Sequence, residues 1–90
     1  MKGTEKQIAW AEDIKFGIIS NIENLRKNRA QDVELGLTPE YSYEAVAVIE
    51  EEVERIFQMQ DEAKFYIENR ERLSYDALKK TCREWDRFNK

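Results

Sequence analysis

The last 51 residues of this 90-residue chain contain no glycine and no proline, the residues that most often interrupt a helix. Apolar side chains recur through this stretch mostly at steps of three and four, which is the repeat of one face of an α-helix. The alternation of polar and apolar residues that marks a strand is absent. The pattern predicts an all-α fold, and its apolar positions are Val46, Ile49, Val53, Ile56, Ala63, Ile67, Leu78, Thr81, Cys82, Trp85 and Phe88.

The first helix is predicted to begin after Thr4, which is a good N-terminal cap. Gln7, three positions later, completes a capping box. Basic side chains gather near residue 30, where cations suit the carboxyl end of a helix. We therefore predict a first helix at about residues 5–30. Its apolar stripe consists of Ile8, Ala11, Ile14, Ile18, Ile22 and Leu25.

The middle of the chain is predicted to be helical from about residue 40 to residue 70. Gly36 suits a turn, and Thr38 followed by Pro39 is typical of a helix start, because proline fits the first helical position. The apolar stripe stays in phase across residues 58–61, which favours one continuous helix. Asp61 could instead cap a new segment, so a break near 58–61 remains the alternative.

Ser74 is a good cap for a last helix at about residues 75–88. The sequence therefore predicts a single helical domain over residues 1–90. It is a small bundle of three main helices (about 5–30, 40–70 and 75–88), with four if the long helix breaks.

The composition argues against the most common types of catalytic site. The chain has no histidine, so it lacks the usual general base and the commonest transition-metal ligand. Its one cysteine, Cys82, cannot form an internal disulfide and is expected to be a small buried apolar residue in a reducing cytoplasm. The three glycines are too far apart for a phosphate-binding loop. We expect no enzyme activity, no cofactor and no metal site.

Neither a secretory signal nor a membrane span is indicated by the sequence. Met1 to Thr4 lead directly into a charged segment, without the apolar region of a signal peptide. No stretch approaches 18 apolar residues, the length that indicates a membrane span. The expected location is the cytoplasm.

Charge is arranged in three blocks. Residues 1–30 carry a net charge of +2, residues 31–69 a net charge of −9, and residues 70–90 a net charge of +3. One interpretation is that neighbouring helices attract each other and stay soluble. The other is an acidic surface on the middle helix that meets a basic partner. The candidate contacts for such a partner are Glu50, Glu51, Glu52 and Glu54.

Three aromatic residues do not fit the apolar stripes. Phe16 lies on the charged side of the first helix. Phe65 and Tyr66 are adjacent, so they point about 100° apart and cannot both face one neighbouring helix. Either a third helix covers one of them, or it is exposed for a partner, as interface anchors are. Phe16, Phe65 and Tyr66 are therefore further candidate contacts.

Two alternative functions remain. The basic residues Lys79, Lys80, Arg83 and Arg87 could form a nucleic-acid surface, although acidic residues interrupt them and the pI of 4.9 makes nucleic acid an unlikely partner. A homodimer is the other alternative, because helices of unequal length leave part of the long apolar stripe uncovered.

Two segments, Gly3 to Ile14 and Ala63 to Arg70, resemble a family of small uncharacterised bacterial and phage proteins. Members of that family begin with a Gly-Ser/Thr-Glu-Lys-Gln, Trp-Ala, Ile-Arg pattern, and here Lys15 stands in place of the arginine. Their later signature is Ala-Lys-Trp-Trp-Ile-Asp-Asn-Arg. In this chain Phe65 and Tyr66 replace the two tryptophans and Glu68 replaces the aspartate.

This resemblance covers about 20 of the 90 residues. It implies a helical protein of bacterial or mobile-element origin, in which Trp10 and the pair Phe65 and Tyr66 share one packing core. The family has no assigned activity that could be transferred.

Together, the acidic block and the missing catalytic residues favour a small non-enzymatic accessory protein that contacts a protein partner through its middle helix. A specific version is an inhibitor that presents carboxylates where a host nucleic-acid-binding or defence protein expects phosphates.

Overall fold

The fold is all-α, as the sequence predicts. A computed structural model describes residues 1–89 and contains four helices in that range. They are α1 (Glu5–Glu34), α2 (Tyr43–Met59), α3 (Ala63–Asn69) and α4 (Tyr75–Phe88). The molecule measures 47 × 25 × 17 Å, and α1 is long enough to run along its longest dimension.

The beginning of α1 confirms the predicted capping box. The Thr4 hydroxyl accepts a hydrogen bond from the Gln7 N–H (3.1 Å), and the Gln7 side-chain oxygen accepts one from the Thr4 N–H (3.0 Å). The helix continues to Glu34, one turn beyond the predicted end near residue 30. Gly36 then takes a positive φ of 75°, which confirms the turn expected there.

The start of α2 differs from the prediction. Ser42, not Thr38, is the N-cap, and its hydroxyl accepts a hydrogen bond from the Ala45 N–H (3.1 Å). Tyr41 is buried just before it, and its hydroxyl donates to the Leu25 carbonyl (2.6 Å). Because this contact holds residues 39–41 against α1, the helix begins only after Tyr41.

The continuous middle helix favoured by the sequence is wrong, and the alternative with a break is correct. α2 ends at Met59, and Gln60 has an extended backbone (φ −101°, ψ 108°). Asp61 does not cap α3, because the N-cap is Glu62 and makes no side-chain capping bond. The backbone of Lys2 pairs with the break instead: its N–H donates to the Asp61 carbonyl (2.7 Å), and its carbonyl accepts from the Ala63 N–H (2.8 Å).

Helix α1 organises the packing of the other three helices. α2 runs antiparallel to it, since Tyr41 contacts Leu25 while Phe57 lies beside Lys15. α3 runs parallel to the first half of α1, with Ala63 beside Gly3. α4 packs against α1 and α2, and the carboxylate of Asp86 accepts hydrogen bonds from the Ser42 N–H (2.6 Å) and hydroxyl (2.5 Å). The Ser74 cap of α4 is confirmed.

Two groups of buried side chains hold these helices together. The main core joins α1, α2 and α4, and a smaller core joins α1 and α3. Cys82 is fully buried, as expected, whereas Phe88 is 81% exposed although it follows the apolar stripe of α4. The main core comprises Ile18, Ile22, Leu25, Tyr41, Ala45, Val46, Ile49, Val53, Leu78 and Cys82, and the smaller one Ala11, Ala63 and Tyr66.

Candidate functional site

The four glutamates of the acidic cluster do not form one surface. Successive residues of a helix are turned by about 100°, so a run of neighbours spreads around the helix axis. Glu50 and Glu54 lie on the flank of α2 that faces α1. Glu51 points away from the core, and Glu52 lies on the other flank, where it pairs with Arg55 (2.8 Å).

Glu50 is engaged within the molecule. Both of its carboxylate oxygens accept hydrogen bonds from the guanidinium of Arg26 on α1 (2.8 and 3.0 Å). These bonds lower the pKa of Glu50 and raise the pKa of Arg26. Glu50 therefore links α1 to α2, whereas Glu54 on the same flank forms no ion pair within residues 1–89.

Phe16 lies beside this flank of α2 and is 69% exposed. Together with Glu12, Lys15, Ile19 and Phe57 it lines an open depression of 220 Å³. Of the three aromatic residues that do not fit the apolar stripes, Phe16 is therefore an exposed one.

A second depression continues from the first along the seam between α1 and α2. It has a volume of 280 Å³ and shares Ile19 and Phe57 with the first. We call the two together the α1–α2 groove. Its other lining residues are Ile22, Glu23, Arg26, Glu50, Val53 and Glu54.

The walls of the groove repeat with the spacing of a helix-packing surface. The wall on α1 steps by four, three and four residues, and the wall on α2 by four and three. Such steps bring side chains to one stripe that can face a neighbouring helix. We call Glu12, Phe16, Ile19 and Glu23 the α1 wall, and Glu50, Glu54 and Phe57 the α2 wall. The remaining lining residues lie beside these stripes and are Lys15, Ile22, Arg26 and Val53.

This second stripe on α1 escaped the sequence analysis although its spacing is visible in the sequence. The main stripe runs along another face of α1 and leaves Phe16 among charged residues. Ile19 lies on the edge of that stripe and is 43% exposed. The three-residue spacing of Phe16 and Ile19 is the signal in the sequence that connects them.

Tyr66 is not an exposed contact, contrary to its place among the candidate partner residues. Its side chain is 0% exposed, and its hydroxyl donates to the Gln60 carbonyl (2.8 Å). Burial raises the pKa of this hydroxyl. Phe65 is partly buried and packs edge-on against the Tyr66 ring, with 5.3 Å between ring centroids. Helix α1 covers Tyr66 because the break after Met59 turns α3 back onto it.

Lys15 bridges the groove and the smaller core. Its ammonium lies over the rings of Phe57 (4.9 Å to the centroid) and Tyr66 (5.6 Å), which are cation–π contacts. Within residues 1–89, no ion pair involves Glu12, Glu23 or Glu54. Because Arg26 is already paired with Glu50, three carboxylates border the groove against the single ammonium of Lys15.

The basic residues of α4 divide into two sets. Lys79 forms an ion pair with Glu40 (2.6 Å), and the hydrogen bond in this pair raises the pKa of Lys79 and lowers that of Glu40. The other three line an open depression of 490 Å³ together with two acidic residues. The lining consists of Glu40, Lys80, Arg83, Glu84 and Arg87.

Reactive groups are scarce in the described structure. Burial raises the pKa of the Cys82 thiol to about 11, so the thiolate is not formed at neutral pH. Among residues 1–89, no three acidic or cysteine side chains are grouped closely enough to hold a metal ion. In the same range, no helix is both long and apolar enough to traverse a lipid bilayer.

Trp10 lies at the edge of the smaller core rather than inside it. It is 47% exposed, and the guanidinium of Arg70 lies 5.1 Å from its ring centroid. Phe65 and Tyr66 pack against the first half of α1, as the family resemblance implies for them. Trp10 is instead covered on one face by a side chain from the end of α3.

Comparison of the chain with protein-family models, curated proteins and solved structures finds no match. The resemblance to small bacterial and phage proteins therefore stays a prediction. The function has to be inferred from the geometry and charge of the α1–α2 groove.

Proposed function

We propose that this protein is a small, non-enzymatic interaction protein that binds a partner protein through the α1–α2 groove and the acidic outer side of α2. The observation that carries the proposal is the exposed ring of Phe16 in a groove bordered by Glu12, Glu23 and Glu54, which form no ion pair within residues 1–89. The partner is expected to be basic, because its surface must face these carboxylates. The setting we propose is the cytoplasm of a bacterium, with the gene carried by the bacterium, a phage or another mobile element.

The residues of the groove suit the two tasks of an interface. Exposed aromatic side chains are frequent anchors, since they bury a large area when a partner covers them. Carboxylates at the rim select a partner of opposite charge and speed its encounter. Phe16 would supply the anchor and Glu54 the rim, while Glu51 extends the acidic surface outward.

Affinity capture with charge-reversed baits tests this proposal. The bait E51K/E54K changes two exposed glutamates on α2 without touching the Arg26–Glu50 pair. The control bait E34K/E71K makes the same change in charge at exposed positions away from the groove. We expect a bacterial partner, identified by mass spectrometry and re-tested as a purified protein, to bind the wild type and the control at least about tenfold more tightly than E51K/E54K.

Equal binding to both baits would contradict a role for the acidic side of α2. Circular dichroism of each bait before the experiment shows whether it is folded. A partner that normally binds nucleic acid would support the inhibitor version, which requires DNA or RNA and this protein to compete for one surface.

A nucleic-acid-associated module is the second candidate, and the depression between Lys80, Arg83 and Arg87 favours it. Binding of a labelled duplex in low salt, lost in R83E/R87E, would support this candidate. No binding in low salt would discard it. A homodimer without another partner is the third candidate, and sedimentation at micromolar concentration separates it from a monomer.

A further inference from the structure

We infer that the α1–α2 groove binds one α-helix of the partner, a basic amphipathic helix that lies along the seam between α1 and α2. This inference rests on the proposed function and specifies the shape and charge of the segment that is bound. It follows from three properties of the groove: the spacing of its walls, the side of the seam that is covered, and the distribution of charge.

Within residues 1–89, the seam between α1 and α2 is covered on one side and open on the other. On the covered side, α4 packs into the main core with Leu78 and Cys82. On the other side no helix within residues 1–89 covers Phe16 or Ile19, which stay 69% and 43% exposed. A helix placed there would pack into the seam between α1 and α2 from the side opposite α4.

The walls match a helix in spacing and in length. Each wall steps by three and four residues, which is the repeat that places the side chains of one helix between those of another. From Glu12 to Glu23 the α1 wall covers eleven steps, or about 16 Å at 1.5 Å per residue. About three turns of a partner helix would fill it, and a helix also satisfies its own backbone hydrogen bonds on an apolar surface.

The distribution of charge requires an amphipathic helix with basic flanks. The middle of the groove is apolar, with Phe16, Ile19 and Phe57, so the facing residues of the partner must be apolar and spaced by three or four. Carboxylates border this apolar region: Glu12 and Glu23 at its ends on α1, and Glu54 across from them on α2. Lysine or arginine beside the apolar residues would face these carboxylates, whereas an acidic helix or an anionic membrane would be repelled.

Titration of the ¹⁵N-labelled protein with a designed peptide tests the inference. The probe is a synthetic helix of about 18 residues, with leucine at heptad a and d positions and lysine at most others. The control peptide has the same composition in scrambled order, so it keeps the charge and loses the apolar face. We expect the amphipathic peptide to shift the backbone signals of the groove residues and to bind at least about tenfold more tightly than the scrambled peptide.

Matched variants then test the position of the peptide. F16S removes the exposed ring of the groove, and F88S removes an exposed ring of α4 outside it. We expect F16S to weaken peptide binding at least about tenfold and F88S to leave it unchanged. E23Q/E54Q should weaken binding and reduce its dependence on salt.

Three results would overturn the inference. The first is equal binding of the two peptides, and the second is an equal effect of F16S and F88S on peptide binding. The third is a wild-type dimer that F16S converts to a monomer, because a second copy of the chain would then occupy the groove. The capture experiment is judged separately from this one. If capture depends on Glu51 and Glu54 while the peptide fails, the proposed function stands and the helix inference falls. If capture is indifferent to these glutamates, the proposed function falls.

Discussion

At the scale of single residues, the structure requires glycine at position 3 but not at position 17. Gly3 has a φ of 145°, and a Cβ added there would lie 3.1 Å from the Cβ of Ala63. Its lack of a side chain therefore lets the chain before α1 approach the start of α3. Gly17 lies exposed in the middle of α1, and a Cβ there would meet nothing within 4 Å.

We expect opposite changes in stability from alanine at these two positions. Gly17→Ala should raise the free energy of unfolding by about 0.5–1 kcal/mol, because alanine loses less backbone entropy in a helix than glycine. Gly3→Ala should lower it by about 1–3 kcal/mol, because alanine is strained at this positive φ and crowds Ala63. Urea unfolding followed by circular dichroism measures both values. The same sign of change in the two variants would contradict the described geometry.

Some properties of single residues in the candidate site could be predicted from the sequence, and others could not. The exposure of Phe16 and the burial of Cys82 were predictable, because one lies off the apolar stripe and the other on it. The burial of Tyr66 was not predictable, since its cover comes from α1, a helix more than 50 positions earlier in the chain. The pairing of Glu50 with Arg26 also depends on how α1 and α2 align, which local spacing does not specify.

At the scale of helices, the N-terminal caps of α1 and α4 were predicted, whereas the start of α2 and the break after it were not. The Thr4 and Ser74 caps are local, because each serine or threonine bonds to an N–H three residues later. The start of α2 is shifted because Tyr41 is buried against α1. The break after α2 depends on backbone bonds to Lys2, about 60 positions away in the chain. An uninterrupted stripe without glycine or proline could not reveal that partner.

A pair of proline substitutions tests the role of Lys2 in the break. We expect Lys2→Pro to lower the free energy of unfolding by about 1 kcal/mol, because proline has no N–H to donate to the Asp61 carbonyl. The amides of α3 should also exchange faster with solvent, as hydrogen-exchange mass spectrometry can show. Glu5→Pro is the control: residue 5 is the first position of α1, where a proline removes no intrahelical bond. Equal losses of unfolding free energy in Lys2→Pro and Glu5→Pro would show that the N–H of Lys2 does not stabilise the break.

At the scale of the whole molecule, ion pairs join the charge blocks of the sequence. Arg26 of the first block pairs with Glu50 of the acidic block (2.8 Å), and Lys79 of the last block pairs with Glu40 (2.6 Å). Two glutamates of the acidic block, Glu40 and Glu50, are therefore paired with basic residues within the fold. Glu12, Glu23 and Glu54 border the groove and form no ion pair within residues 1–89, so the groove keeps its negative charge.

These pairs predict a loss of stability in acid. Arg26 and Lys79, as hydrogen-bond donors, hold the pKa of Glu50 and Glu40 below the ordinary value of 4.5. A carboxyl with a lowered pKa stabilises the fold above its unfolded pKa, and this contribution disappears as the pH falls through the folded pKa. We expect E40Q/E50Q to cost about 0.2–1 kcal/mol per pair at pH 7, a small value because the side chains are partly exposed.

Urea unfolding between about pH 7 and pH 3 measures this effect. The difference between the wild type and E40Q/E50Q should shrink below about pH 4.5 and approach zero when both carboxyls are protonated in the wild type. E51Q/E54Q is the control, because it removes two glutamates that form no ion pair within residues 1–89. A constant difference for E40Q/E50Q across this range would show that the pairs do not contribute.

Ile14 and Phe57 pack against both the main core and the smaller core. They therefore link the packing of α3 against α1 to the packing of α2 and α4. A ligand that rests on Phe57 would contact a side chain shared by both cores, so we expect its binding to slow hydrogen exchange in α3 as well as in α2.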